Sequence, residues 1–215
     1  MSSLTEEHRA SGSWVDTVAA VLLALAAVAT AWSSYQASRW SGEQAKAFSA
    51  ANAARVEATQ ASNLANTQKE VDVDVFTQWV DAYLNEDHRV QEFYEHRFRA
   101  EFEPAFRAWL KTDPFTTPSA PESPFAMPQY VVAADDRARQ LTATADATAE
   151  SARVYVQRAT NYVLGVVLFA VALFFAGISP KLSGQRIRIS ILAVGITVFV
   201  AAALWIATFP ISISI

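Results

Sequence analysis

The chain has 215 residues, with 17 Lys+Arg against 21 Asp+Glu, three His, six Gly, eight Pro and no Cys. The lack of Cys excludes disulfide frameworks, thiol redox chemistry, Cys-ligated zinc and iron–sulfur clusters. The net charge of −4 argues against nucleic acid as a partner, because phosphate binding needs a basic excess.

Only 18% of the residues are charged, against a usual share of about 25%. The shortage is concentrated in three stretches without Asp, Glu, Lys or Arg: residues 17–38, 159–180 and 189–215. Each reaches the roughly 20 apolar residues that a helix needs to cross a bilayer. That pattern excludes a soluble chain and makes the lipid bilayer its first partner.

In chain order, a short N-terminal tail (1–13) leads into a first transmembrane helix over 14–36. Trp14 and Trp32 mark its two ends as interfacial aromatics do. Ala20, Ala24, Ala27 and Ala31 recur at helical spacing and form a small-residue face. A cleaved signal peptide is the rival reading, with Arg9 as its basic region and Ala29-Thr30-Ala31 as the cleavage site. Glu6, Glu7 and Asp16 oppose it.

A stalk helix follows over 37–70. Its seam, taken every third then fourth residue, reads Ala37, Trp40, Gln44, Ala47, Ala51, Ala54, Ala58, Ala61 and Ala65. A return stalk helix over 133–160 gives Ala134, Ala138, Leu141, Ala145, Thr148, Ala152, Tyr155 and Ala159. Both follow the 3.5-residue repeat of a coiled coil. The expected helix-pairing residues are Ala47, Ala51, Ala54, Ala58, Ala61 and Ala65, facing Ala138, Leu141, Ala145 and Ala152. Off-seam alanines such as Ala50 and Ala143 show that part of the pattern is composition.

Between the stalk helices, residues 71–132 form an aromatic-rich helical tip. A kink is expected near Asp72, where Glu70, Asp72 and Asp74 read as a solvated acidic turn, followed by a helix over 74–85. Asn85-Glu86-Asp87 supplies the cap of the next helix. That helix carries Phe98, Phe102, Phe106 and Trp109 beside Phe93 and Tyr94, and Pro104 should kink or restart it. Prolines 114, 118, 121, 124 and 128 keep the loop over 112–128 irregular. The aromatics read as a distal core closed by Phe115, Phe125 and Tyr130. Alternatively, Phe98, Phe102, Phe106 and Trp109 form an exposed patch that meets a protein partner.

A second transmembrane helix over 161–179, a basic loop over 180–189, a third transmembrane helix over 190–209 and a C-terminal tail (210–215) complete the chain. Lys181, Arg186 and Arg188 in that loop, together with Arg9, place the N-terminus in the cytoplasm and residues 37–160 outside it.

Candidate chemistry is sparse. His88, Glu92 and His96 lie four residues apart on one helical face and could ligate a divalent metal. Their spacing matches neither His-Glu-x-x-His nor Glu-x-x-His, and Arg89 and Arg97 can pair with the acids instead. No nucleophile elbow, phosphate-binding loop or dinucleotide fingerprint occurs. Asp16 is the one ionisable residue within the spans, which speaks against an ion-coupled carrier.

Residues 29–45, 76–83, 93–110, 125–130 and 205–210 resemble segments of a group of uncharacterised bacterial membrane proteins. That group shares one span, a long helical excursion and a closing two-span hairpin. The resemblance implies a bacterial cytoplasmic-membrane location and brings no activity, cofactor or site residues. The expected protein is therefore all-α, with three transmembrane helices, an antiparallel Ala-rich stalk and a small helical tip. A non-enzymatic structural, scaffolding or sensing role without a cofactor follows, exercised as a homo-oligomer that associates through its stalk. The alternatives are an oligomeric channel and a membrane-bound metalloprotein using His88, Glu92 and His96.

Overall fold

The computed structural model of the chain describes residues 3–212, with side chains from Trp14 onward. The expected N-terminal tail with Arg9, and residues 213–215 of the expected C-terminal tail, lie outside the described side chains. Five α-helices follow in order: α1 (Ser3–Leu84), α2 (His88–Glu95), α3 (Glu103–Leu110), α4 (Ala133–Ile178) and α5 (Gln185–Ala207). Short 3-10 turns occupy Pro124–Ala126 and Ser179–Lys181, and no strand occurs among the described residues. Three helical stretches, Trp14–Leu84, Ala133–Lys181 and Gln185–Ala207, are long and apolar enough to cross a membrane.

The length of α1 follows from its composition, since alanine is the best helix former and the first proline of the chain is Pro104. A Cβ added at Gly42 would meet nothing within 4 Å, so that glycine costs only its intrinsic propensity. The kink expected at Asp72 and the separate helix expected over 74–85 are not found, because α1 passes through both without interruption. The reason lies in the register. Ala37, Ala51, Ala58 and Ala65 are buried at multiples of seven residues, and Asp72 and Trp79 continue the same series, both buried. Asp72 therefore occupies an inward position of the repeat rather than a solvated turn.

The chain divides into two compact units, residues 1–49 with 148–215 and residues 50–147. In the first unit, one core layer joins Val15, Ala19 and Leu22 of α1 to Ala176 of α4 and Leu192 of α5. A second joins Ala37 and Trp40 to Ala159, Tyr162, Phe169, Ala202 and Ile206. Ala19, Ala26, Ala172, Ala176 and Ala202 face inward here, whereas the face expected from Ala20, Ala24, Ala27 and Ala31 is exposed, as are Val21, Leu25, Val28, Val167, Phe174, Val200 and Leu204. In water so much exposed apolar surface would drive aggregation, whereas in a bilayer it meets acyl chains and the small residues let helices approach. Gly195 illustrates the approach: a Cβ there would lie 3.1 Å from Phe175 Cβ and 3.5 Å from the Ala172 carbonyl. Arg188 pairs with Asp16, and Ser179 Oγ donates to the Arg188 carbonyl at 2.9 Å, fastening the 3-10 turn to α5.

In the second unit, Lys69 pairs with Asp135, and Arg55 lies 3.9 Å from Asp146. Asp87 caps α2 by accepting the Val90 N–H at 3.1 Å. Pro104 sits in the first turn of α3, where its missing N–H costs nothing. The helix expected to carry Phe98 through Trp109 with a kink or restart at Pro104 is instead two helices, because α2 ends at Glu95 and α3 begins at Glu103.

Candidate functional site

The second unit is built around an aromatic core. Trp79 lies at its centre, edge-on to Phe106 at 4.8 Å and stacked on Tyr83 at 5.4 Å. Phe76 meets Trp109 edge-on at 5.3 Å, and Phe102 stacks on Phe125 at 5.3 Å. Such offset and edge-to-face pairs are favourable beyond their buried area. Both indole N–H groups are satisfied: Trp79 Nε1 donates to Glu95 Oε1 at 2.9 Å and Trp109 Nε1 to the Pro121 carbonyl at 2.7 Å. The second bond pins the proline-rich loop to α3.

This placement corrects the expected interaction patch. Phe102, Phe106 and Trp109 are 0%, 3% and 3% exposed, and Phe98 packs against them half-buried, so these rings are core. Only Phe106 and Trp109 lie on α3, with Phe102 at its cap and Phe98 in the link after α2, so tertiary packing rather than one helical face brings the four rings together. The exposed apolar groups of this unit are others. Tyr83 and Phe115 stack on each other at 4.2 Å and remain 39% and 43% exposed. Val90 and Phe93 line a shallow depression of 490 Å³ on α2 with Arg89, Arg97 and Glu92. Arg97 lies over the Phe93 ring at 3.4 Å and donates to the Phe93 carbonyl at 2.9 Å.

Below the core, Asp72 anchors a buried polar cluster that local reading misses. Arg99 Nη1 donates to Asp72 Oδ2 at 2.8 Å, and the Tyr130 hydroxyl donates to the same oxygen at 3.1 Å. Arg99 also pairs with Glu101. Burial pushes the Asp72 carboxyl above its ordinary value, with the Arg99 charge opposing that shift. Burial, reinforced by the Asp72 charge, raises the Tyr130 phenol. The sequence signal that could have found Asp72 is the seven-residue series extended past Ala65.

The proposed helix-pairing residues all turn inward to some degree. Ala51, Ala58, Ala65, Ala145 and Ala152 are buried, while Ala47, Ala54, Ala61, Ala138 and Leu141 are half-buried. Beside them runs an open groove of 760 Å³, floored by Ala58, Thr59, Ala138 and Thr142. Arg55, Arg139, Asp135 and Asp146 stand along it.

The His88, Glu92 and His96 cluster lies on the exposed face of α2. His96 Nε2 is 3.8 Å from Glu92 Oε1, and both side chains are more than three-quarters exposed. Among the described residues no group of three or more His, Cys, Asp or Glu side chains converges on a common point.

No protein-family model matches the chain, and neither a curated protein nor a solved structure does.

Proposed function

We propose that the protein is a non-enzymatic membrane scaffold or sensor that self-associates through an antiparallel, Ala-rich helical stalk and meets a protein partner at a small aromatic tip. The observation that carries this reading is the groove beside the alanine seam. Alanine pairs bury little apolar area, so two such helices gain much from a third surface laid against them. The groove floor is made of Ala and Thr side chains that permit close helix approach. Its rim supplies both signs of charge through Arg55 and Arg139 against Asp135 and Asp146. A rim of mixed sign is self-complementary under a two-fold axis, which favours a second copy of the chain.

The location we propose is a bacterial cytoplasmic membrane, with the N-terminus cytoplasmic and residues 37–160 outside. Lys181, Arg186 and Arg188 between the last two apolar helices support this orientation. The Asp16–Arg188 pair places the start of the first apolar stretch beside that basic loop.

Mass measurement of the full chain in lipid nanodiscs and in mild detergent tests self-association. The expected result is a dimer or higher oligomer that falls to monomer when Thr142→Trp fills the groove. A wild-type chain that is monomeric at every concentration overturns the reading.

A further inference from the structure

The aromatic core of the second unit reaches solvent through a stack of rings. Buried Trp79 stacks on Tyr83 at 5.4 Å, and Tyr83 stacks in turn on Phe115 at 4.2 Å with the two planes 16° apart. The last two rings come from different elements, Tyr83 from the final turn of α1 and Phe115 from the proline-rich loop. Trp109 meets Phe115 edge-on at 5.7 Å, and its indole bond to the Pro121 carbonyl holds that loop in place. Rings fixed in this way lose little freedom when a partner lands on them. Leu84, 68% exposed, extends the apolar surface beside Tyr83. All three residues lie outside the charge-free stretches that would meet acyl chains.

The polar groups around the stack select its partner. Residues 81–87 hold Asp81, Glu86 and Asp87 and no base, and residues 111–117 hold Asp113 against Lys111. Asp87 is engaged as the cap of α2. The carboxylates of Asp81, Glu86 and Asp113 are exposed and meet no Lys or Arg among the described residues. Glu86 and Asp113 are tied to the rings through the backbone. The Glu86 N–H donates to the Tyr83 carbonyl at 3.1 Å, and the Asp113 carbonyl accepts the Thr116 N–H at 3.1 Å in the turn that carries Phe115. Arg89, the first cation of α2, lines the depression beside Phe93 instead.

Rings edged by carboxylates without cationic partners attract a cation. Arginine suits both parts, because its planar guanidinium stacks on aromatic faces while its N–H groups reach carboxylates. The protein makes the same contact within itself, with Arg97 over Phe93 at 3.4 Å and Arg158 over Trp40 at 4.5 Å.

We propose that the exposed Tyr83–Phe115 stack is the docking point for an arginine-bearing segment of a partner protein. The guanidinium lies against the rings, Glu86 and Asp113 face its charge, and Leu84 receives the apolar flank of the segment. This names the chemistry of the partner at the tip and rests on that part of the proposed function; it is independent of self-association through the stalk.

The test titrates full-length protein in mild detergent with a dye-labelled synthetic peptide of four Arg-Gly repeats, binding being read by anisotropy. Salt at about 0.15 M screens attraction between exposed charges beyond roughly 8 Å. Saturable binding of one peptide per chain is expected. Phe115→Leu keeps apolar bulk but removes the ring, and should weaken binding about fivefold, the scale of a contact between a guanidinium and an aromatic face. Glu86→Gln combined with Asp113→Asn should weaken it by about the same factor. Glu57→Gln, on the stalk, should leave it unchanged. No binding by the wild type, or equal binding by the wild type and Phe115→Leu, overturns the proposal. Equal binding of a peptide with citrulline in place of arginine overturns arginine recognition while leaving a protein partner at the tip. Preferential binding of tetra-N-acetylglucosamine overturns both in favour of a saccharide. Glu86→Gln and Asp113→Asn alter exposed side chains only, so the test stands whether or not Phe115→Leu folds. Peptide binding by a chain that is always monomeric would overturn the stalk reading alone.

Discussion

Asp72 and Arg99, 27 residues apart in sequence, meet in a 2.8 Å ion pair whose acid is 1% exposed and whose guanidinium is 21% exposed. The pair ties the inward face of α1 to the link between α2 and α3, and Tyr130 adds the approach to α4 from the other side. An alanine seam offers little variation in size with which to fix its register. A single buried polar group at a core position of the repeat specifies register in coiled coils, and Asp72 occupies such a position here.

Arg99→Ala should destabilise the second unit by about 3–5 kcal/mol, moderated to the extent that the stranded acid takes up a proton. Asp72→Asn keeps the shape and one acceptor and should cost less than half as much. Thermal unfolding followed by tryptophan emission reads this directly, because Trp79 and Trp109 lie in the adjoining core. Equal losses for the two variants would show that the pair does not hold this unit.

The raised Asp72 carboxyl also sets a pH dependence. Its native value lies above the unfolded one, so the native state holds a proton more tightly. Its contribution is fully present below the ordinary value of 3.8 and is lost as pH rises through the elevated native value. The stability of the wild type relative to Asp72→Asn should therefore fall as pH rises through that window and level off above it. Paired melting curves at stepped pH check the sign, and a difference that grows with pH would contradict it.

Overpacking should separate the buried seam from its flanks. Ala51 and Ala65 are 0% exposed, and Leu at either position should cost about 1–3 kcal/mol. Ala54 is half-buried, and Ala54→Leu should cost less. Chemical denaturation of the three variants in one detergent gives the order, and a larger loss at Ala54 would mean that the seam faces elsewhere.

The tip should divide cleanly into core and surface. Phe102→Ala removes a fully buried ring and should cost about 3–5 kcal/mol. Phe93→Ala acts on an exposed ring and should change stability by no more than about 0.5 kcal/mol. Binding of a protein partner at the tip should show the opposite ranking, read by cross-linking in membranes with the Phe93→Ala variant.

Orientation can be read from one label. The chain contains no Cys, and Ser119 is exposed in the proline-rich loop. Ser119→Cys should react with a membrane-impermeant maleimide in intact cells. Reaction only after permeabilisation would place residues 37–160 on the cytoplasmic side.

Much of this molecule is a local property of its chain. Charge-free stretches of span length, alanine at 3.5-residue spacing and the Asp87 cap each depend on residues within a few turns, so composition and period specify the helices and the buried positions Ala51, Ala58 and Ala65, though not the inward face of the first apolar stretch, where Ala20, Ala24, Ala27 and Ala31 are exposed. Pro104 and the prolines after Thr112 likewise act on their own neighbourhood. What the chain does not disclose locally is how polar and aromatic side chains are matched across distance. Asp72 looks like one of three acids in a solvated turn, and only the approach of Arg99 and Tyr130, 27 and 58 residues away, turns it into a buried anchor. Phe102 and Phe106 look equally suited to a surface or a core until Trp79 and Phe125 close over them. Ser33 looks like one more small residue of an apolar helix until the packing of the first unit leaves it 0% exposed. Helix formation is governed by short-range propensity and hydrophobic period, whereas desolvation and pairing depend on which distant atoms arrive, and only the tertiary structure decides that.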